Sequence, residues 1–382
     1  MTLNKPSWSS ATIRQVAFEV SERAENPSLS GYERFVGLEE FETGEYKIRK
    51  WITTENLVSA MKLFKSGDVL FARRNAYLRR TSEVDFDGVC SGDAIVLRPN
   101  HNLVKGFLTL LLNTDKFWEY AIANAAGTMS KRVKWRDLAE YTYSLPSLDE
   151  QQNIVGLFQT VEQNIFAAEK QEGNLLILKS QLLRELISEK RKFGNFLTTK
   201  DFQKVKFEKI AVNISERVEP KQTDLDIYVG LDDLDSDDLV IRRKGKPEDV
   251  IGTKLKIYKG DVIFGKRRAY LRKVAVSDFE GIVSAHSMVL RANEENIEKD
   301  FLPYLMQSDE FMNRAVQISE GSLSPTIKWK TLAQQEFICP RKEKQTKLIE
   351  VFKQSDETRE FVLKQKETLK MLKQKLLNEI LG

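Results

Sequence analysis

The stretch DEQQNIVGLFQTVEQNIFAAEKQEGNLLILKSQLLRELISEKRK, Asp149 to Lys192, decides the fold. Ile154, Phe158, Val161, Ile165 and Ala168 recur at spacings of four and three, which draws one narrow apolar seam along an α-helix. The seam resumes after Gly173 as Leu175, Leu178, Leu182 and Leu186. One such helix would suit any core, since packing rather than propensity stabilises most helices. The end of the chain, however, repeats it. Leu348, Phe352 and Val362 stand where Ile154, Phe158 and Ala168 stand, and Leu369, Leu372, Leu376 and Ile380 stand where Leu175, Leu178, Leu182 and Leu186 stand. The offset is 194 throughout (348 minus 154, 380 minus 186). Two seams matched in register predict a pair of helices packed as a coiled coil, each about 60 Å long at 1.5 Å per residue.

The repeat runs through the rest of the chain at an offset of 193 or 194, as single-residue loop insertions would cause. Val20-Ser21-Glu22-Arg23 returns as Ile214-Ser215-Glu216-Arg217, and Gly67-Asp68-Val69-Leu70-Phe71 as Gly260-Asp261-Val262-Ile263-Phe264. Ala76-Tyr77-Leu78-Arg79-Arg80 returns as Ala269-Tyr270-Leu271-Arg272-Lys273, and the segment from Gly127 to Trp135 as that from Gly321 to Trp329. An internal duplication follows. Within each copy the GDV runs read as turn then strand, GVCSGDAIVLRP and GIVSAHSMVLRA as further strands, and the stretches from Phe107 and from Phe301 as helical. The fold class expected is α+β: two similar mixed α/β domains, residues 1–148 and 193–342, separated by long helices over 149–192 and 343–382. Residues Arg191 to Lys204 read as the linker into the second copy. Pro146 and Pro340 precede the helices, where proline is tolerated.

The 382 residues exceed what one small core needs, and 41% hydrophobic with 30% charged residues describes a soluble globular chain. No apolar run approaches a membrane span and the start MTLNKPSWSS lacks a signal peptide's apolar centre, so a cytoplasmic protein with no membrane partner is expected. Cys90 and Cys339 are too few for a disulfide framework or a zinc site and are expected as buried thiols.

Catalytic candidates fail in turn. His101 and His286 answer to Glu294 and Asp93 in the other copy, so no histidine is duplicated. There is no phosphate-binding glycine loop, and Gly245-Lys246-Pro247 has the wrong neighbours. Asn-Pro-Pro-aromatic, which amino-methyltransferases use to hold a flipped base, is missing. Glu45-Tyr46-Lys47 ends a Mg²⁺-nuclease pattern without its upstream Pro-Asp, and the acidic run Asp232 to Asp238 reads as a solvated loop. No catalytic residue and no metal ligand is assigned.

Positive charge in turns is what repeats. Arg73, Arg74, Asn75, Arg79 and Arg80 answer to Lys266, Arg267, Arg268, Arg272 and Lys273, directly after a strand. A second cluster, Ser130-Lys131-Arg132-Val133-Lys134, answers to Ser324-Pro325-Thr326-Ile327-Lys328, so that Lys131, Arg132 and Lys134 in one copy face Ser324, Thr326 and Lys328 as the polar residues of the other. Lysine and arginine neutralise phosphate, while arginine, asparagine and serine also read base edges in the major groove. These sixteen residues are the expected DNA-binding set. The apolar skeleton matches between copies while the polar clusters differ, as one scaffold reading two sequences would require.

The chain resembles the specificity subunits of type I restriction-modification systems over essentially its whole length. GDVLFARR and GDVIFGKR carry the resemblance, with GTMSKRVKWRDLAEYTYSLPSLDEQQNIVGLF and its copy GSLSPTIKWKTLAQQEFICPRKEKQTKLIEVF. It implies two target recognition domains held apart by an antiparallel helix pair, a split DNA target, and docking of methyltransferase (modification) subunits. It also implies that S-adenosylmethionine, ATP and Mg²⁺ serve those subunits and the motor-nuclease (restriction) subunits, with no cofactor in this chain. Independently, readers in successive major grooves stand about 34–36 Å apart, a distance that a stiff helical pair holds better than a flexible linker. Gln163, Asn164, Glu169, Lys170, Gln171 and Lys179 on one helix, and Lys364, Gln365, Lys366 and Lys373 on the other, are expected on exposed faces. Two other classes stay open: a self-sufficient DNA-processing enzyme (nuclease) with an unrecognised metal site, and an architectural coiled-coil scaffold.

Overall fold

The computed structural model describes residues 5–128, 130–186 and 197–382. It divides into two compact units, Met1–Glu169 with Lys364–Gly382 and Lys170–Leu363, so each long helix contributes one part to each unit. The helices span Leu148–Leu186 and Lys342–Leu381. The expected extension of the first helix over residues 187–192 lies outside the described residues, as do residues 191–196 of the expected linker.

The two units share one topology. In the first, Val69–Ala72 lies between Ala94–Pro99 and Thr81–Glu83, and Ala17–Val20 completes an antiparallel sheet of four. In the second, Val262–Gly265, Ser287–Ala292, Val274–Val276 and Ala211–Ile214 occupy the same places. A second, mixed sheet also recurs, with Phe35–Val36 of Arg34–Val36 parallel to Val89–Cys90 and Tyr228–Val229 parallel to Ile282–Val283. Among the described residues, the first unit adds the edge strand Ile52–Thr53, where the second makes a single antiparallel bridge, Tyr228 to Gly245.

The aspartate of each GDV motif does more than open a turn. Asp68 is buried, accepts the N–H of Lys65 at 2.8 Å, and takes a two-pronged bond from Arg98 at 2.7 and 2.8 Å. Asp261 repeats this with the N–H of Tyr258 at 2.9 Å and Arg291 at 2.8 and 3.1 Å. A buried carboxylate is tolerated only when paired in this way.

The starts of the long helices are anchored by glutamine. Gln151 accepts the N–H of Val104 at 3.0 Å and donates to the carbonyl of Pro146 at 3.0 Å; Gln345 does the same with Glu298 and Pro340 at 2.8 Å each. This is the shared letter of the EQQ and KQT motifs. Ser147 and Glu150 add a reciprocal cap at the first helix.

Within each unit the helices run antiparallel. In the first, Ile154 and Phe158 share a core with Leu377 and Ile380, while Glu162 meets Lys373 at 2.6 Å and Glu169 meets Lys370 at 3.9 Å. In the second, Leu348 and Phe352 share a core with Leu183, Lys179 meets Asp356 at 2.6 Å and Glu172 meets Arg359 at 3.3 Å. Matched register therefore does not mean direct contact between Ile154 and Leu348: they occupy equivalent places in two different cores.

Two expectations need correction. Lys179 and Lys373 are not on exposed faces; their side chains are 7% and 5% exposed. Each lies over an aromatic ring, Tyr304 and Tyr46 respectively, as well as against its carboxylate, and helical spacing alone does not reveal that a domain covers that face. The segment 191–204 is not all linker either, because Phe202–Lys206 pairs with Glu336–Pro340 and buries Phe202 in the second core.

Asp356 also accepts from the Tyr304 hydroxyl at 2.9 Å. Replacing Asp356 by leucine should therefore strand the Lys179 ammonium and cost about 2 kcal/mol, below the range for fully buried pairs because Asp356 is partly exposed. Adding Lys179→Met should recover part of that loss in urea unfolding. A double variant less stable than the single one contradicts this account.

Cys90 and Cys339 are buried free thiols, pushed up to about 12 and about 11 by burial. Among the described residues, no helix is long and apolar enough to cross a membrane.

Candidate nucleic-acid interface

The two basic clusters, far apart in sequence, form one surface in each unit. Residues 73–80 connect strands Val69–Ala72 and Thr81–Glu83, and a second loop folds onto them. The N–H of Val133 donates to Arg73 at 2.9 Å and that of Asn75 to Lys131 at 3.2 Å. In the second unit Ile327 donates to Lys266 at 3.0 Å and Arg268 to Pro325 at 2.8 Å. The second loop is closed by paired bonds between Ala126 and Arg132 and between Glu320 and Thr326.

Both first loops carry the same unusual backbone. Asn75 (φ 56°) and Arg79 (φ 48°) flank the short turn Ala76–Leu78; Arg268 (φ 56°) and Arg272 (φ 53°) flank Ala269–Leu271. Left-handed backbone is uncommon away from glycine and costs of order 1 kcal/mol, so surrounding structure must hold it. Thr43 and Ser236 do part of this, their hydroxyls donating to the carbonyls of Leu78 and Leu271 at 2.8 and 2.7 Å.

The sixteen expected residues separate into two groups. Arg79 donates to Asp115 at 2.7 Å and Arg80 to the carbonyl of Leu38 at 2.8 Å. Arg272 binds Asp237 at 2.8 Å and the carbonyl of Gln307 at 2.6 Å, and Lys273 donates to the carbonyl of Leu231 at 2.6 Å. These four tie the loop to its own domain, which corrects the expectation that they all present free charge. A sequence cluster cannot distinguish tethers from free cations, because the acceptors lie 35 to 42 residues away.

The remaining residues surround the open face. Arg74 donates to Ser130 at 2.7 Å, and Arg267 to Ser324 at 3.0 Å, so the same arginine is braced by the same hydroxyl in both units. Arg268 reaches Ser324 at 3.4 Å. Lys131 and Lys134 are exposed, and Arg73 and Lys266 are partly buried. Burial, then the charge of Arg217, lowers the Lys266 pKa below its usual range. Thr326 turns its hydroxyl to the carbonyl of Ser324 at 3.1 Å, and Lys328 pairs with Glu320 at 2.6 Å. Arg132 pairs with Asp93 at 2.9 Å, and that hydrogen bond is the main cause holding the Asp93 carboxyl below its ordinary range.

Sequence reasoning passed over Tyr77 and Tyr270, which stand 67% and 52% exposed between the left-handed residues of each loop. It also set aside Asp93 and His286, although their being unequal at equivalent places on this face is what marks them. The acidic run is not merely solvated: Asp235 meets Arg243 at 2.6 Å, Asp237 meets Arg272, and Asp238 meets Arg242 at 3.0 Å and Arg359 at 2.7 Å. Tyr46 of the nuclease-like tripeptide is a core residue. Among the described residues, no group of three or more His, Cys, Asp or Glu side chains is placed to hold a metal ion.

The fold is thus a duplicated α+β scaffold that presents an equivalent basic loop surface in each unit. The model of one family, described as type I restriction modification DNA specificity domain, matches residues 42–178 and again 235–371, and the chain belongs to that family. A curated relative, the type I restriction enzyme EcoDI specificity subunit of Escherichia coli, is 25% identical over 146 residues. That alignment takes in 38% of this chain and 32% of the relative. A solved chain, from work on complex assembly and conformational transition of the type I R-M system, superposes with a TM-score of 0.59 at 20% identity over 98% of this chain and 97% of its own. The type I restriction-modification S subunit from M. genitalium superposes at 0.54 with 14% identity over 100% and 98%. The superpositions establish the shared fold.

Proposed function

We propose that this chain is the non-catalytic DNA-recognition subunit of a type I restriction-modification complex, reading a bipartite double-stranded target. Residues 1–148 read one half-site and residues 193–342 the other. The observation that carries this reading is the pair of equivalent loop surfaces on which one frame displays different side chains: Asn75 against Arg268, Arg132 against Thr326, Asp93 against His286. A shared frame positions phosphate contacts, and the exchanged side chains supply different base readout. The long helices dock modification subunits, which methylate adenine with S-adenosylmethionine. Restriction subunits joining the complex use ATP and Mg²⁺, and this chain holds no cofactor of its own.

The test uses the full chain with a library of randomised duplex DNA, with and without Mg²⁺. Enrichment of a two-part motif without strand cleavage is expected. Metal-dependent cleavage supports the nuclease reading, and binding without any motif supports neither. Exchanging residues 1–145 for those of a relative should alter one half-site and leave the other; alteration of both contradicts independent readers.

A further inference from the structure

The two loop surfaces differ most sharply at one coupled pair of positions. In the turn between Gly88–Cys90 and Ala94–Pro99, the N–H of Asp93 donates to the Ser91 hydroxyl at 3.2 Å; in the equivalent turn His286 donates to Ser284 at 3.3 Å. The backbone frame is the same and the side chain is not. In the first unit the Asp93 carboxylate accepts from Arg132 and lies 3.7 Å from the Arg74 guanidinium. In the second unit both members of the ion pair are replaced by uncharged groups, His286 and Thr326. Among the described residues, no carboxylate lies within ion-pair distance of Arg267.

Arg267 is instead held like a fork between two neutral acceptors. Its Nη1 lies 3.3 Å from His286 Nε2, and its Nη2 donates to Ser324 Oγ at 3.0 Å. Because a guanidinium only donates, His286 must present the lone pair of Nε2. Burial first, and then the charges of Arg267, Lys266 and Lys254, lower the His286 pKa and keep the ring in that neutral form. Each terminal nitrogen of Arg267 retains one further N–H, in a plane fixed from both sides. The pair borders a concavity of about 440 Å³ that Tyr228 and Arg268 also line. Two parallel N–H groups on a fixed plane match O6 and N7 of guanine in the major groove.

We infer that His286 is a specificity-determining positioning residue: it holds Arg267 as a neutral-braced fork for one guanine, while the equivalent Asp93 gives the first unit a different preference by pairing with Arg132 and placing a carboxylate beside Arg74. This rests on the DNA-reading function proposed above. A carboxylate at position 286 would draw the guanidinium onto itself, as Asp93 does with Arg132, and take its donors away from the base.

The test repeats the duplex-library selection with the full chain and three variants, His286→Asp, His286→Asn and Arg267→Lys. The unaltered chain is expected to select guanine at one base pair of one half-site. His286→Asp should reduce that preference between about fivefold and a hundredfold, the range of one bidentate contact. His286→Asn keeps a neutral acceptor and should retain the preference, whereas Arg267→Lys keeps the charge, loses the fork and should lose the preference. The other half-site, read from the same selections, reports that each variant is folded. If His286→Asp and Arg267→Lys both leave the guanine in place, or if His286→Asn removes it as fully as His286→Asp, the inference is overturned while DNA reading stands. If the unaltered chain enriches no motif, the proposed function fails and the inference with it.

Discussion

Replacing Phe352 with alanine should destabilise the second unit by about 3–5 kcal/mol, the usual cost of emptying a buried aromatic site. Phe352 is fully buried, its ring lies 4.8 Å from that of Tyr304, and it belongs to the core that also holds Phe311 and Phe337. It sits on the second long helix yet its neighbours are domain residues, so the cavity would loosen helix and domain together. In a thermal melt the transition of this unit should fall by roughly 10 °C. Phe361 on the same helix is 67% exposed, and Phe361→Ala should change stability by less than about 0.5 kcal/mol. Equal losses from the two substitutions would mean that the helix is not seated as described.

Removing Arg74, Lys131, Arg267 and Arg268 together, each to alanine, should weaken DNA association by about a hundredfold or more at moderate salt. It should also flatten the dependence of log affinity on log salt by about 0.9 for each phosphate that is no longer neutralised. The change in slope separates this from unfolding. Arg79→Ala and Arg272→Ala give the contrast, since both residues are committed to internal partners, Asp115 for one and Asp237 for the other. Those two should lower the melting temperature and leave the salt slope nearly unchanged. An unchanged affinity after the fourfold substitution would leave the architectural scaffold as the better account.

The contrast between these arginines shows where sequence reading stops. The repeat of Ala-Tyr-Leu-Arg with flanking cations located the loop, but charge looks the same in a string whether its partner is solvent or a carboxylate. Arg79 and Arg272 acquire their role from acceptors that the chain brings back from a distance. Lys179 and Lys373 repeat the lesson on the helices: they occupy positions that helical spacing alone assigns to solvent, and a domain face plus a carboxylate covers them.

What the sequence determined by itself is the duplication and its consequences. The offset of 193 or 194, the apolar seams and the repeated GDV and GTMS or GSLS turns require two like domains and two long helices, because burial patterns and turn chemistry are local or periodic properties. Only the tertiary structure decided that Ile154 and Leu348 belong to two different cores and that loops 73–80 and 131–134 share one face. It also decided that Asp93 and His286, equivalent in the repeat, stand against the arginines of that face, Arg74 and Arg132 in one unit and Arg267 in the other. Each of these depends on pairings between residues distant in the chain, and such pairings are set by how the two halves of a helix choose their neighbours, a choice that no local pattern encodes.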